Sequence, residues 1–261
     1  MSGPQCCSNP PILKPERYGV DNCDEKLGGL NVYVAGSPNS KLAILLISNV
    51  FGYRVPNLRK LAENIAAAGF FVLVPDFFYG DPFVYDNNRP LAVWLQDHGT
   101  DKGFEDAKSI INALKGKGVS AIGAAGFCWG GEWFLSQTTF STGCLISSIA
   151  QAKVVTELAK SDFIQAAVLL HPSFVTLDDI QEVKVPIAIQ GAEIDDYSPP
   201  ELVKQFEQIL AAKPEVDSFV KIFPKAEHVW TMSYNVEDEE AVKRAEEAHR
   251  NTLAWFVKHV K

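Results

Sequence analysis

A cysteine placed between two glycines is the feature of this sequence that most suggests chemistry. A small apolar run from Ala121 leads into Gly126-Phe-Cys128-Trp-Gly130 and then into a helix-like stretch. A nucleophile on a tight turn between a strand and a helix sits at strained backbone angles, so the residues two before and two after it must lack bulk. The first N–H groups of such a helix point at the sulfur and favour a negative charge there. The pattern therefore predicts a nucleophilic Cys128.

A pattern this short also has a purely structural interpretation, because free cysteines are among the most buried residues. A nucleophilic cysteine needs a base, and the base needs a carboxylate to orient it. Where the nucleophile sits on such a turn, the chain order is nucleophile, acid, histidine. Among the five histidines, only His228 directly follows a late predicted strand, and Asp195 ends the strand before it, with Asp196 as the alternative acid. The order predicts a site made of Cys128, Asp195 and His228.

The elements that must position these residues alternate between strands and helices. Strands are predicted at 28–36, 41–48, 69–76, 121–127, 166–172, 185–191 and 218–223. Helices are predicted at 57–68, 102–114, 199–212 and 237–258. This alternation predicts an α/β protein with a doubly wound, mostly parallel sheet and helices on both faces. Residues 1–26 are predicted to form an extended arm and residues 27–261 a single domain, with the site at the carboxyl ends of the strands.

Composition excludes several functional classes. The 261 residues are 47% hydrophobic and carry a net charge of −8, which argues against nucleic acid or an anionic membrane as a partner. No stretch is long and apolar enough to span a bilayer, and no signal peptide is recognisable. The five cysteines are an odd number, which predicts reduced thiols and a cytoplasmic protein. We expect a monomer or homodimer.

Metal and cofactor sites are not predicted. The sequence has no His, Cys and Asp cluster with metal-ligand spacing and no glycine-rich phosphate loop. Cys6 and Cys7 lie in the arm without a nearby histidine, so a mobile tail is favoured over a metal or acylation site.

From about Gly29 to the end, the chain resembles the dienelactone hydrolase family of α/β-hydrolases, also described as carboxymethylenebutenolidase-like. The resemblance rests on the segments Asn49-Val-Phe-Gly52, Val74-Pro-Asp76, Gly126-Phe-Cys-Trp-Gly-Gly131, Gly191-Ala-Glu-Ile-Asp195 and Ala226-Glu-His228. It implies an α/β-hydrolase fold in which Cys128 is the nucleophile, His228 the base and Asp195 its orienting carboxylate. It also implies an oxyanion hole made by the backbone N–H groups of Val50 and Trp129.

Two positions depart from the family pattern. Asn49 stands where characterised bacterial members have a glutamate that interacts with the resting thiol. Around Gly80, shortly after Pro75-Asp76, the arginine that holds a substrate carboxylate in those enzymes is missing. An anionic dienelactone is therefore disfavoured as substrate unless Arg54 or Arg89 replaces that arginine.

The main hypothesis is a cysteine-dependent hydrolase of small esters or lactones that acts through a thioester acyl-enzyme. Its predicted substrate pocket consists of Asn49, Phe51, Tyr53, Arg54, Phe78, Tyr79 and Trp230. Plant proteins that resemble this one have been labelled endo-β-glucanases, and that chemistry needs two carboxylates flanking one bond. A third hypothesis is a non-catalytic receptor for a small ligand on the same fold.

Overall fold

Strands and helices alternate through the computed structural model, which describes residues 23–85, 88–128 and 151–261. The strands are β1 (Cys23–Leu27), β2 (Leu30–Ala35), β3 (Leu42–Ile47), β4 (Phe71–Pro75), β5 (Ala121–Phe127), β6 (Ala166–Leu170), β7 (Ile187–Ile194) and β8 (Ser218–Glu227). The helices are α1 (Pro56–Ala66), α2 (Leu91–Asp97), α3 (Thr100–Gly116), α4 (Gln151–Ala159), α5 (Leu177–Glu182), α6 (Pro200–Ala211) and α7 (Glu239–His259).

The eight strands form one sheet in the order β1-β2-β4-β3-β5-β6-β7-β8. The pairs β1–β2 and β2–β4 are antiparallel, whereas every pair from β4 across to β8 is parallel. The chain moves outward from β3 to β4 and then returns to the other side of β3 at β5. The order thus reverses beside β3, and this is where open parallel sheets form a crevice at the carboxyl ends of their strands.

Apolar side chains cover both faces of the central strands, as their continuously hydrophobic sequences require. On β3, Leu45 and Ile47 belong to one buried cluster, which includes residues of α3, α4, α5 and α6. Ile44 and Leu46 belong to a second cluster on the other face, with residues of α1 and α7. This arrangement confirms the predicted doubly wound, mostly parallel sheet with helices on both faces.

Several elements were not visible in the sequence pattern. β1 includes Cys23–Lys26, which the sequence assigns to the N-terminal arm, and pairs with β2 through the turn at Gly28 and Gly29. The short helices α2 and α5 lie in segments for which the sequence predicts no element, and α4 follows a stretch outside the described residues. None of the helices in the described part of the chain combines the length and apolar character needed to cross a membrane.

Candidate active site

Cys128 lies immediately after β5, at the carboxyl edge of the sheet. Its φ of +32° is outside the usual range for a residue with a side chain, as expected for a sharp turn. Its backbone N–H donates to the Leu170 carbonyl at the end of neighbouring β6, at 3.2 Å. The side chain is fully buried. The sheet therefore fixes the thiol beside the end of β6.

A distortion between the last two strands brings the acid and the histidine together. From the pair Ala192–Phe223 to the pair Ile194–Glu227, β7 advances two residues while β8 advances four. Pro224, which has no N–H to donate to a ladder, lies in the bulged part of β8. Asp195 and His228 each come one residue after the final pair, so the bulge places them side by side.

The three predicted catalytic side chains form one hydrogen-bonded line. His228 Nε2 lies 2.7 Å from Cys128 Sγ, and His228 Nδ1 lies 2.7 Å from Asp195 Oδ2. The other oxygen, Asp195 Oδ1, accepts from the backbone N–H groups of Tyr197 at 2.9 Å and Ser198 at 3.1 Å. The carboxylate is therefore held in place by the loop after β7 and orients the imidazole toward the sulfur.

The surroundings of His228 favour its protonated form. Complete burial by itself lowers the pKa of an imidazole. Here the negative charges of Cys128 and Asp195, together with hydrogen bonds to both, outweigh burial and raise the pKa of His228 to about 10. The geometry can therefore hold an imidazolium between a thiolate and a carboxylate, which is the state in which a cysteine is nucleophilic.

His171 is a neighbour of this line that the sequence analysis assigned no role. It follows β6 with a φ of +40°, and its ring centre lies 5.3 Å from that of His228, edge to face. His171 Nε2 is hydrogen-bonded to Thr231 Oγ1 at 2.6 Å. Burial, followed by the charge of His228, lowers the pKa of His171 well below its usual value, so this second imidazole is neutral. Its position at the end of a predicted strand is the feature of the sequence that could have placed His171 near the site.

Val50, which the sequence predicts to be an oxyanion donor, lies in the segment after β3. Asn49 to Gly52 forms a turn closed by a 2.9 Å bond from the Gly52 N–H to the Asn49 carbonyl. Asn49 is buried, and its Oδ1 accepts from the Phe51 N–H at 3.2 Å. No hydrogen-bond acceptor for the Val50 N–H is found within the described ranges. Trp129, the other predicted donor, lies outside the described residues, as do Cys6 and Cys7.

The predicted pocket residues divide into separate groups. Phe51, Tyr53 and Arg54 line a cavity of about 220 Å³ that also contacts buried Asp76. Phe78 and Tyr79 instead line a cavity of about 420 Å³.

Trp230 lies on neither of these cavities among the residues that the structure describes. It packs against His171 and Phe223, with ring centres 5.2 and 5.1 Å away, so it supports His171.

The arginines considered as replacements for the missing family arginine have other partners. Arg89 forms ion pairs with Asp81 at 2.8 Å and with Asp97 at 2.9 Å. Arg54 donates to the Tyr53 hydroxyl and is largely exposed. Arg54 lines the cavity shared with Phe51 and Tyr53, whereas Arg89 lines the cavity of Phe78 and Tyr79.

Comparisons with known proteins agree with these motifs. The model for the dienelactone hydrolase family matches residues 30–141 and 151–260. A maize protein named endo-1,3;1,4-beta-D-glucanase is 37% identical over 216 residues, which cover 81% of this chain but 63% of that protein. The match thus spans less than two thirds of the maize protein's length. A carboxymethylenebutenolidase homolog from Xenopus tropicalis is 28% identical, with 93% of each chain covered.

A solved structure shows the same fold. The dienelactone hydrolase from Anabaena variabilis superposes with a TM-score of 0.58 at 13% identity, covering 92% of this chain and all of that one. The family match and this similarity confirm the resemblance that the sequence motifs indicate.

Proposed function

The chain belongs to the dienelactone hydrolase family, and from this premise we propose that it hydrolyses small esters or lactones through a thioester formed on Cys128. The observation that carries the proposal is the continuous line from Cys128 Sγ through His228 to Asp195, with both contacts at 2.7 Å. A cysteine kept only for packing needs no imidazole at its sulfur and no carboxylate behind that imidazole.

In the proposed mechanism, His228 takes the proton of Cys128 and the thiolate attacks the substrate carbonyl. The N–H groups of Val50 and Trp129 bind the developing oxyanion, and each such donor typically contributes about 10²–10³ in rate. His228 then gives its proton to the departing alkoxide, leaving a thioester. The same imidazole takes a proton from water, the hydroxide attacks the thioester, and the carboxylic acid and the thiolate are released.

The proposed substrate class is an uncharged or weakly polar active ester or lactone. Asn49 cannot accept a proton as the family glutamate can, so activation of the thiol rests on His228. Arg89 is paired with Asp81 and Asp97, whereas Arg54, 4.0 Å from Asp24, lines the cavity beside Phe51. The thiolate nucleophile itself favours activated esters over amides. A thiolate leaves more readily than an amine, so the tetrahedral intermediate formed from an amide would revert to the substrate.

The test is hydrolysis of a panel of p-nitrophenyl esters and small lactones by the native protein, by Cys128→Ala and by Cys23→Ala. Cys23 is the matched control because it lies in β1, at the edge of the sheet and several strands away from β5. We expect turnover that is lost on Cys128→Ala and on treatment with iodoacetamide, and kept in Cys23→Ala. Undiminished turnover in Cys128→Ala would refute the cysteine mechanism.

A polysaccharide hydrolase is the second candidate, because the maize relative bears the name of a glucanase. The carboxylates at the end of β7 and just after it speak against this candidate. Asp195 is bound to His228, whereas exposed Glu193 accepts from the Lys225 N–H at 2.7 Å, so the two are engaged separately. Release of reducing ends from mixed-linkage β-glucan that survives Cys128→Ala would favour this candidate. Ligand binding without any turnover would favour a non-catalytic receptor.

A further inference from the structure

The described part of the chain contains one compact group of soft metal ligands, and it includes a residue that the proposed mechanism does not use. The sulfur of Cys128 and one ring nitrogen each from His171 and His228 all lie within 4.8 Å of one another. All three side chains are completely buried or nearly so. We propose that these residues form a binding site for Zn²⁺, and that the bound cation shuts off the nucleophile.

The ligand set selects the cation. A thiolate and two imidazoles suit Zn²⁺, whereas Mg²⁺ and Ca²⁺ require oxygen ligands. Three protein ligands around a tetrahedral ion leave the fourth position for water or an anion. The site would therefore hold the metal without a further protein ligand.

Both imidazoles already have the outer contacts that metal-binding histidines use. His228 donates through Nδ1 to the buried Asp195 carboxylate, which leaves Nε2 directed at the sulfur. His171 is held through Nε2 by the Thr231 hydroxyl. Partners of this kind fix the ring orientation of a ligand and raise its basicity.

The Nδ1 atom of His171 gives a second indication of a ligand. The ring is fully buried and bonds its own backbone, yet this nitrogen has no hydrogen-bond partner in any other described residue. A buried polar atom without such a partner is costly, by about 1–3 kcal/mol. With Nε2 engaged by Thr231, Nδ1 is the ring nitrogen that remains available to bind a cation.

Binding of the cation and catalysis exclude each other, and this part of the inference rests on the proposed function. Two tetrahedral ligands at typical Zn–S and Zn–N distances are about 3.5 Å apart. Cys128 Sγ and His228 Nε2 are 2.7 Å apart, so the cation must separate them by roughly 0.8 Å. Binding of the cation also releases to solvent the proton that Cys128 and His228 share. The metal then occupies both lone pairs that the mechanism needs.

The experiment titrates the metal-free full chain with Co²⁺, followed by displacement with Zn²⁺, and measures the thiolate-to-cobalt charge-transfer absorption. Variants are Cys128→Ser, His171→Gln and Thr231→Val, and His259→Gln in α7 is the control for adventitious histidine sites. Thr231→Val keeps all three ligands and removes only the hydroxyl on His171. Thermal unfolding of each variant establishes that it is folded.

We expect the charge-transfer band in the native chain and in His259→Gln, and its loss in Cys128→Ser. Zn²⁺ affinity should fall at least about tenfold in His171→Gln and by about 10–100-fold in Thr231→Val. Ester turnover should be inhibited over the same Zn²⁺ range and restored by a chelator. Native Zn²⁺ affinity in folded His171→Gln, or the absence of a sulfur-to-cobalt band in the native chain, would overturn the inference. A band without any ester turnover would instead remove the proposed function and leave the site standing.

Discussion

Replacement of Asp195 by asparagine isolates the electrostatic part of the site with the smallest change in shape. The carboxylate now accepts hydrogen bonds on both oxygens, from His228 Nδ1 on one side and from the N–H groups of Tyr197 and Ser198 on the other. An amide has only one oxygen. Its NH₂ group faces either the N–H groups of Tyr197 and Ser198 or the Nδ1–H of a protonated His228, so one contact is lost in the imidazolium state.

The magnitude follows from the lost charge. An opposite charge within hydrogen-bond distance moves a pKa by about 1–3, so Asp195→Asn lowers the pKa of His228 from its raised value of about 10. The change corresponds to about 1.4–4 kcal/mol. The equilibrium for proton transfer from Cys128 to His228 should fall by the same factor, about 10–10³. Alkylation by iodoacetamide and ester hydrolysis, which both use the thiolate, should slow by up to that factor.

The assay is the second-order rate constant for iodoacetamide at pH 7, measured together with kcat/KM for a p-nitrophenyl ester. Asp196→Asn is the matched control, because Asp196 is the adjacent acid and is exposed. We expect the control to stay within about twofold of the native protein. Native rates in Asp195→Asn, with slow alkylation in Asp196→Asn, would refute the assignment of the orienting acid.

Three further predictions concern stability. Asp179, buried between Lys153 and Lys160, has its pKa lowered to about 2, because the lysines and the Thr176 cap outweigh burial. Its ionisation therefore contributes about 2 kcal/mol to the free energy of unfolding above pH 4, and this contribution is lost as the pH falls toward 2. Urea unfolding of Asp179→Asn at pH 7 should show a free energy of unfolding that is lower by about the same amount. Because burial lowers the pKa of His249 to about 4, the unfolded chain takes up this proton at a higher pH than the folded chain does. The free energy of unfolding should therefore decrease as the pH falls from 6.5 to 4, and it should decrease less steeply in His249→Gln. Gly123→Ala places a Cβ 2.8 Å from a Phe256 ring carbon, and a melting curve should show a destabilisation of about 1–3 kcal/mol; unchanged melting would mean that the ring moves freely.

Much of the site could be predicted because it depends on local patterns and on the topology of parallel sheets. The Gly126-Phe-Cys128 turn marks the end of a strand by its lack of bulk, and the apolar runs that became β5 and β7 locate their own carboxyl ends. In a parallel sheet those ends lie at one edge. The residues that follow them, Asp195 among them, therefore had to meet near Cys128.

Other features were decided only by contacts between distant parts of the chain. Whether Arg89 is available to a substrate depends on Asp81 and Asp97, which a loop and the unpredicted helix α2 bring to it. Contacts between distant segments also divide the predicted pocket between two cavities. The order of residues shows that aromatic side chains follow β4, but the directions of those side chains are set by packing.

The sequence by itself predicted the alternation of strands and helices, the turn at Cys128 and the proposed acid and histidine, since each depends on a local pattern or on the order of residues along the chain. Only the tertiary structure decided that β8 bulges at Pro224 to align His228 with Asp195. It alone also placed His171 beside His228, across an interval of 57 residues, because β6 and β8 both end at the same edge of the sheet. Strand register and side-chain partners across such intervals depend on packing energies that no local pattern records.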